Sequence, residues 1–398
     1  KPRNPYFCMK SVFYNFNPWW EEKYSVDALP RERYFNQLIK LIKNKEIIFL
    51  TGLRRVGKTT LMYQLIEHLL ERCNSKNLFY ISLDLLSLKD KSIYEIINEY
   101  RKIQGLSNDE FVYIFLDEIT SKKDFHQELK NLYDLGNTKI FVSSSSATKL
   151  KDTSAYLTGR SRTIEIGPLD FNEFLIFRGY SPKKQDFHLF EKYFEEYMEY
   201  GGMPEYVLTK DPAYITEVVD NIILKDIVAK YGIKNKDKVF DLFRLLVERV
   251  GKHLSYTRIG HILDISKDSV QTYINYFLET YLFSRIEMKG KLNERIKGPK
   301  KFYCGDVGIK NVSHGFKDKG AIYENLVFNK LKESYSSSFK GGIHFLYRKG
   351  IEIDFIVEDT LIECKYGQEM SNKKKRLFNS YKIKNKIIAN GVEFFLKS

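Results

Sequence analysis

Residues 47–70 read IIFLTGLRRVGKTTLMYQLIEHLL, and this stretch decides the fold of the first part of the chain. It opens with a short apolar run typical of a buried strand and ends with leucines at helical spacing. Between them, GLRRVGKT matches the pattern G-x-x-x-x-G-K-[ST]. Gly52 and Gly57 would let the backbone curl so that its N–H groups face a phosphate at the helix N-terminus. This order of strand, glycine-containing loop and helix therefore predicts a phosphate-binding loop. The alternative is an ordinary strand–turn–helix with a lysine at the helix cap.

The loop also predicts how ATP and Mg²⁺ would be bound. Lys58 would reach the β- and γ-phosphates, and the hydroxyl of Thr59 would ligate the cation. We expect further nucleotide contacts from three other polar loop residues, Arg54, Arg55 and Thr60.

A pair of acids supports this interpretation. YIFLDE at 113–118 is an apolar strand that ends in two carboxylates. Asp117 would hold the Mg²⁺ through water, and Glu118 would polarise the attacking water. Alone, the two acids would be equally compatible with a charged loop, but beside a phosphate loop they predict ATP hydrolysis.

Two further groups could complete the ATP site. KIFV at 139–142 runs into four serines, and Ser143 would sense the γ-phosphate or orient the water unless the run is simply a polar loop. In LTGRSR, Arg160 or Arg162 could serve as an arginine finger on a neighbouring subunit's γ-phosphate, and we take Arg160 as the nucleotide contact. Ordinary surface arginines are the alternative.

Composition excludes several classes of protein. Hydrophobic residues make up 43% and charged residues 29% of the 398 residues, which is typical of folded chains and excludes predominant disorder. The densest apolar runs have the length of strands, so no membrane-spanning helix is expected. The four cysteines form no CxxC pair, which argues against a disulfide scaffold and a cysteine zinc site. The seven histidines are isolated and suggest no serine or cysteine triad. Without a recognisable secretory signal, we expect a cytoplasmic protein.

Positive charge is concentrated near the C-terminus. The net charge is +14. Residues 291–398 contain 22 Lys and Arg and 12 Asp and Glu, a net charge of +10. This asymmetry predicts a polyanionic partner such as nucleic acid, whereas the alternative is a lysine-rich solvated surface.

The C-terminal segment IEIDFIVEDTLIECKY at 351–366 predicts a second site. A two-residue turn would pair Val357 with Thr360 and set Asp354 opposite Glu363. One face would then be apolar, with Ile351, Ile353, Phe355, Val357, Ile362 and Cys364. The other face would carry Glu352, Asp354, Glu363 and Lys365. Such a face could bind a divalent cation and position a water against a phosphodiester, or it could be an exposed face stabilised by charge pairs such as Glu352–Lys365.

Residues 254–290 suggest a helix-turn-helix unit. Its second helix would begin near Lys267 and present polar side chains suited to a DNA groove. These side chains are Lys267, Ser269, Gln271, Thr272 and Asn275. A spacer or dimerisation role is the alternative.

D-x(8)-E-C-K resembles the core of the PD-(D/E)XK nuclease superfamily, with Asp354, Glu363 and Lys365 in matching positions. The resemblance implies that Glu324, in the helical stretch AIYENLVFNKL, completes the metal ligands Asp354 and Glu363. The whole chain resembles the archaeal and bacterial AAA+ ATPases that carry a C-terminal nuclease-like domain. The motifs that carry this wider resemblance are NPWW, GLRRVGKTT, YIFLDEIT, LTGRSRTIEIGPLDFNEFL, YGGMPEYV, LKDIVAKYGI, YINYFLETYLF and FYCGDVGI.

The resemblance implies an α/β fold with five parts. The parts are an N-terminal arm at 1–30, a P-loop ATPase domain of AAA+ type with a parallel sheet at 31–167, a helical lid at 168–235, a winged-helix-like unit at 236–297 and a small α/β nuclease-like domain at 298–398.

Two functions remain open at this point. The first is an ATPase that acts on DNA, with the nucleotide state controlling metal-dependent cleavage by the C-terminal module. The second is a non-catalytic ATP-gated switch or scaffold that binds DNA or a protein. A homo-oligomeric ring, a dimer and a monomer are all compatible with the sequence.

Overall fold

The computed structural model describes residues 5–146, 157–183, 185–335 and 342–396. The chain forms two compact units. The first contains Lys1–Gly52 and Gly57–Ile166, and the second contains Leu53–Val56 and Gly167–Ser398.

The first unit is built on five parallel strands in the order β2-β3-β4-β1-β5. The strands are β1 (Ile47–Thr51), β2 (Leu78–Ser82), β3 (Val112–Asp117), β4 (Thr138–Ser144) and β5 (Ser161–Glu165). The helices are α1 (Pro5–Phe16), α2 (Glu32–Leu41), α3 (Lys58–Leu70), α4 (Ile93–Gln104) and α5 (Phe125–Leu135). The parallel sheet expected for the P-loop domain is confirmed, and the carboxyl ends of all five strands lie at one edge.

The N-terminal segment is part of this unit's core rather than a separate arm. Phe13 is fully buried, and its ring lies 5.0 Å from that of Phe79 on β2. The Asn17 side chain accepts from Tyr80 N at 2.7 Å and donates to Tyr80 O at 2.9 Å. The expected boundary at residue 30 therefore marks no break in packing.

The second unit begins with helices, as predicted for the segment after Pro168. Within the described residues, the helices before the next strand are α6 (Phe171–Phe177), α7 (Phe187–Tyr200), α8 (Pro204–Thr209), α9 (Pro212–Asn221), a π-helix (Ile222–Ala229), α10 (Lys236–Glu248), α11 (Tyr256–Leu263) and α12 (Lys267–Glu279). The predicted start of the second helix of the helix-turn-helix at Lys267 agrees with α12, whose first turn is capped by the Ser266 side chain.

A six-stranded mixed sheet follows, in the order β11-β10-β9-β8-β6-β7. Its strands are β6 (Phe283–Met288), β7 (Lys300–Cys304), β8 (His344–Arg348), β9 (Ile351–Val357), β10 (Thr360–Lys365) and β11 (Asn385–Asn390). The accompanying helices are α13 (Leu292–Lys297), α14 (Val307–His314), α15 (Lys319–Tyr335), α16 (Asn372–Ser380) and α17 (Glu393–Leu396).

The boundary predicted at 297/298 needs correction. It falls between β6 and β7, which pair antiparallel from Phe283 with Cys304 to Glu287 with Lys300. Leu254, ahead of α11, also bridges to Lys300. Because paired strands of one sheet pack as a single element, the helix-turn-helix and the C-terminal sheet belong to one unit.

Candidate functional sites

The phosphate loop has the geometry that its glycines were predicted to allow. Gly52 has a φ of +134°, and a Cβ there would lie 2.2 Å from Ile166 O. Gly57 has a φ of +97° and is the N-cap of α3. Only glycine fits the first position, and the loop delivers the chain to the positive end of a helix.

The predicted magnesium ligands lie in direct contact with each other. Thr59 Oγ1 donates to Asp117 Oδ2 at 2.6 Å, although β4 lies between β1 and β3 in the sheet. The same oxygen accepts from the Tyr80 hydroxyl at 2.8 Å. The pKa of Tyr80 is far above its usual value because of burial and the nearby Asp117 charge, so the phenol stays protonated and donates. Lys58 Nζ donates to Gly52 O at 3.0 Å, which holds the ammonium over the loop.

Ser143 lies beside the two acids. Its hydroxyl donates to Asp117 Oδ1 and accepts from Glu118 N at 3.1 Å. Glu118 has a φ of 52°, and its Oε2 accepts from Ser145 Oγ at 3.2 Å. The structure therefore brings Lys58, Thr59, Asp117, Glu118 and Ser143 to the carboxyl edge of one sheet, and Thr60 lies in the first turn of α3.

The loop arginines contact carboxylates of the second unit, to which residues 53–56 belong. Arg54 forms two hydrogen bonds to Asp226, at 2.7 and 2.9 Å. Arg55 Nη2 lies 2.6 Å from Glu217 Oε1. Their predicted phosphate contacts would have to compete with these ion pairs.

Arg160 does not join the ATP site of its own chain, and the predicted contact with a neighbouring subunit's nucleotide stays a prediction. Arg160 O accepts from Ile47 N, so the residue lies at the amino edge of the sheet, roughly 15 Å along β1 from the phosphate loop. Its guanidinium instead contacts Asp134 at 3.3 Å. An arginine-finger role could act only on another subunit.

In the second unit, the predicted hairpin register is correct but the predicted faces are not. Val357 pairs with Thr360, as expected. The pairing of β8 with β9 shifts by one residue between Leu346 and His344, so Asp354 and Phe355 both stand opposite Phe345. This bulge interrupts the alternation of faces. Ile353 and Ile356 therefore share a core with Phe378, whereas Phe355 packs 5.5 Å from Tyr303.

Three carboxylates of this unit form a potential metal-binding group: Glu324, Glu352 and Asp354. The resemblance implied Glu324 and Asp354 as ligands, and the sequence placed Glu352 on the same polar face, with a Glu352–Lys365 pair as the alternative. The buried Lys301 Nζ instead contacts Glu324 Oε1 at 2.7 Å and Glu352 Oε1 at 2.8 Å. The other oxygen of Glu352 contacts His253. Glu352 is thus already neutralised, and among the three acids Glu324 and Asp354 line the adjoining cavity of about 240 Å³.

The protonation of these acids follows from their surroundings. Burial, with a further contribution from the Asp354 charge, raises the pKa of Glu324 to about 7 despite the Lys301 ammonium. Burial also acts on Glu352, but contacts with His253 and Lys301 outweigh it and lower that pKa to about 2. Burial, reinforced by the Asp354 charge, raises the pKa of Glu363. Glu324 and Glu363 therefore retain a proton more readily than exposed glutamates do, whereas Glu352 stays ionised.

Glu363 and Lys365 lie together as the resemblance implied. Lys365 Nζ is 2.8 Å from Glu363 Oε1, and Lys374 on α16 contacts the same oxygen. Lys374 Nζ also lies 3.5 Å from Asp354 Oδ1. Asp354 Oδ2 accepts from Cys364 N at 2.8 Å, which fixes its carboxylate.

The donor set fits a hard divalent cation. Glu324, Asp354 and Glu363 supply oxygen ligands. Gly251 leaves room beside Glu324, because a Cβ there would lie 3.1 Å from Glu324 Oε1. Thr59 and Asp117 likewise offer the oxygen ligands that suit Mg²⁺ at the phosphate loop.

Sequence reasoning missed several groups at both sites. They are Tyr80 at the ATP site and His253, Lys301, Tyr303 and Lys374 at the C-terminal site. Tyr303 falls within FYCGDVGI but carried no predicted role, and the other four lie outside the quoted motifs. The five residues reach the two sites from β2, β7, α16 and the loop before α11. For Tyr80, the one available signal was its position on the strand that neighbours β3.

The polar residues predicted on α12 lie on its surface with one exception. Lys267, Gln271, Thr272 and Asn275 are exposed, whereas Ser269 is half-buried and bonded to Ser266. No described helix combines the length and the apolar character that crossing a membrane requires.

Three known domain families match consecutive segments of the chain. An AAA domain matches residues 44–175, and two domains of unknown function, DUF8612 and DUF4143, match residues 191–320 and 319–394. The AAA match agrees with the parallel sheet and its phosphate loop and confirms the predicted P-loop fold. The other two descriptions name no activity.

Similar proteins occur in archaea and bacteria. The uncharacterized protein MJ1544 of Methanocaldococcus jannaschii is 30% identical over 357 residues, which cover 85% of this chain and 78% of that protein. An uncharacterized protein of Haemophilus influenzae is 27% identical over 356 residues, covering 82% of this chain and 86% of that protein. Among solved structures, AMPPCP-bound DnaA from Aquifex aeolicus is 17% identical and covers 66% of this chain and 93% of that chain. Its TM-score of 0.30 is too low for conclusions about this chain.

Proposed function

Because the chain belongs to the AAA-domain protein family that includes MJ1544, we propose that it binds and hydrolyses ATP and acts on DNA. In this proposal, the nucleotide state controls a metal-dependent, nuclease-like module in the C-terminal unit. The observation that carries the ATPase part is the 2.6 Å contact between Thr59 and Asp117 beside Lys58.

The first unit would bind ATP through the loop backbone, α3 and Lys58. Backbone N–H groups at the start of α3 would face the phosphates, and Lys58 would leave the Gly52 carbonyl to contact them. Thr59 and Asp117 would hold Mg²⁺, which when bound neutralises charge on the β- and γ-phosphates.

Water activation is assigned to Glu118. Ser143 and Asp117 fix the Glu118 backbone nitrogen, and Ser145 contacts its carboxylate. Glu118 can therefore accept a proton from a water held against the γ-phosphate while Asp117 keeps its place at the cation.

The C-terminal unit would hold a divalent cation with Glu324, Asp354 and Glu363. Such a cation, when bound, lowers the pKa of a ligated water and polarises a phosphodiester. Lys365 lines the same cavity and would contact a phosphate oxygen. The net charge of +10 over residues 291–398 and the exposed polar residues of α12 support DNA as the substrate class.

The first test measures ATP hydrolysis by the wild type and Lys58→Ala, with and without DNA. We expect hydrolysis that DNA stimulates several-fold and that the variant loses. The second test measures Mn²⁺-dependent cleavage of single- and double-stranded DNA, with and without ATP, by the wild type and Asp354→Asn. Cleavage that survives the Asp354 substitution would contradict the assigned site.

A non-catalytic ATP-gated switch or scaffold is the second candidate function. The observation that favours it is Lys301, which is fully buried and already pairs with Glu324 and Glu352. Under this alternative, the C-terminal face binds DNA or a protein without cutting. Nucleotide-dependent DNA binding together with no cleavage in Mg²⁺ or Mn²⁺ would favour it.

A further inference from the structure

Two lysine ammonium groups are inserted among the carboxylates of the C-terminal site. Lys301 on β7 contacts Glu324 and Glu352, and Lys374 on α16 contacts Asp354 and Glu363. Neither lysine belongs to the motif that predicted the site. Each occupies a position where a cation shared by two carboxylates would lie.

We propose that Lys374 is an exchangeable substitute for a divalent cation between Asp354 and Glu363. Its ammonium neutralises these acids when no metal is bound and must leave when the cation binds. The inference rests on the proposed metal-dependent function of this site and adds a group that competes with the cation.

The two lysines differ in their freedom to move. The Lys301 side chain is wholly buried and is bound by two glutamates, so it is a permanent counter-ion. The Lys374 side chain is 20% exposed and lines the cavity of about 240 Å³. Its flexible stem can move the ammonium into solvent without disturbing a strand.

Glu363 supplies an independent indication that a ligand is missing. The residue is fully buried, yet its Oε2 accepts no hydrogen bond from any residue within the described ranges. A buried carboxylate oxygen without a donor is costly, and a metal ion would satisfy it.

Crowding of positive charge at Glu363 lowers the cost of moving Lys374 away. Lys365 and Lys374 both contact Glu363 Oε1, so two ammonium groups share one oxygen. Their mutual repulsion offsets part of the attraction of each for the carboxylate. When Lys374 leaves, Lys365 keeps its contact with Glu363, and Asp354 keeps its hydrogen bond from Cys364 N.

The test measures Mn²⁺ binding to the nucleotide-free full chain from the electron paramagnetic resonance signal of free Mn²⁺. We expect Lys374→Met to bind Mn²⁺ about tenfold more tightly than the wild type. Lys374→Arg retains the charge and should bind like the wild type. Lys375→Met is the matched control, because Lys375 follows Lys374 on α16 but pairs with the exposed Glu369. Asp354→Asn combined with Lys374→Met should abolish the gain, which assigns it to this site.

A second measurement uses only the wild type and therefore does not depend on whether a variant folds. Acetylation of the wild type by a soluble succinimidyl ester is followed by mass spectrometry, with and without Mn²⁺. Release of Lys374 should raise its modification rate several-fold, while Lys301 stays protected. An unchanged Lys374 rate at saturating Mn²⁺ would overturn the inference.

The outcomes separate the two proposals. Mn²⁺ binding that requires Asp354 but is unchanged or weaker in Lys374→Met rejects only the role of Lys374. No Asp354-dependent Mn²⁺ binding in any variant rejects the metal site itself and the inference with it.

Discussion

Asp306 accepts a hydrogen bond of 2.7 Å from the backbone nitrogen of Gly202, which lies 104 positions earlier in the chain. Its other oxygen accepts from Gly308 N at 2.8 Å. A Cβ on Gly201 would lie 2.4 Å from that carboxylate. The motifs YGGMPEYV and FYCGDVGI therefore meet at one buried acid, which holds the two segments together within the second unit.

This acid predicts a pH-dependent stability. Burial raises the pKa of Asp306 from 3.8 to about 6, against the lowering effect of its backbone hydrogen bonds. The folded chain then keeps a proton that the unfolded chain has already lost, so this group makes stability fall as pH rises from about 4 to 6. The difference is on the order of 3 kcal/mol.

Circular dichroism melts of the wild type and Asp306→Asn between pH 4 and 7 would measure this effect. We expect the variant to lack the wild type's decrease in stability over that range. Asp318→Asn, at an exposed acid, should follow the wild type. Equal pH dependence in wild type and Asp306→Asn would show that Asp306 does not titrate in this way.

Gly52→Ala is expected to disrupt the phosphate loop. The new Cβ would lie 2.2 Å from Ile166 O, at a φ of +134° that side chains rarely adopt. Because backbone would have to move, we expect a loss of at least about 3 kcal/mol together with loss of ATP binding. Gly136→Ala is the control, with a φ of +84° and nothing within 4 Å of the new Cβ, and should cost about 1 kcal/mol. Equal losses of stability in the two variants would show that the loop backbone shifts to accommodate the Cβ at position 52.

The parallel sheet and the ATP site could be predicted because their signals are local. Strands β1 to β4 are short, mostly apolar runs, whereas β5 (SRTIE) is not. The loop fixes Lys58 and Thr59 by sequence spacing alone. Asp117 and Ser143 follow because carboxyl ends of parallel strands share one edge. Arg160 precedes β5, which runs parallel to β1, so it lies at the opposite edge of the sheet from the phosphate loop of its own chain, and its predicted role on a neighbouring subunit stays a prediction.

The C-terminal site was less predictable because its partners come from distant elements. The two-residue turn fixed the register of the β9–β10 hairpin. A bulge at Asp354 and Phe355 then changed which side chains share a face of the sheet. The alternation of polar and apolar residues in the sequence does not reveal this bulge. Lys301 and Lys374 reach the acids through tertiary packing. Local spacing therefore identified the candidate carboxylate ligands but missed the lysine side chains that neutralise their charge.

Asn17→Ala is expected to loosen the N-terminal segment. The Asn17 amide satisfies both the nitrogen and the oxygen of Tyr80, and its removal leaves two buried backbone groups without that partner. We expect a loss of about 2–4 kcal/mol. Urea unfolding followed by tryptophan fluorescence reports on this region, because the chain has two tryptophans and both Trp19 and Trp20 donate to Leu78 O. Asn44→Ala, at an exposed residue, should change stability by less than about 0.5 kcal/mol; equal losses would contradict the anchoring role.

Glu118→Gln is expected to separate ATP binding from hydrolysis. The substitution keeps the shape of the side chain and the backbone contacts with Asp117 and Ser143, so the loop should bind ATP within about threefold of the wild type. The amide cannot accept a proton from water, and we expect kcat to fall by at least about 100-fold.

Ser145→Ala, which removes the 3.2 Å contact to Glu118 Oε2, should keep kcat within about fivefold if that contact only orients the acid. Binding of a fluorescent ATP analogue and release of phosphate measure the two steps. Hydrolysis at near wild-type rate in Glu118→Gln would move the role of base to another residue.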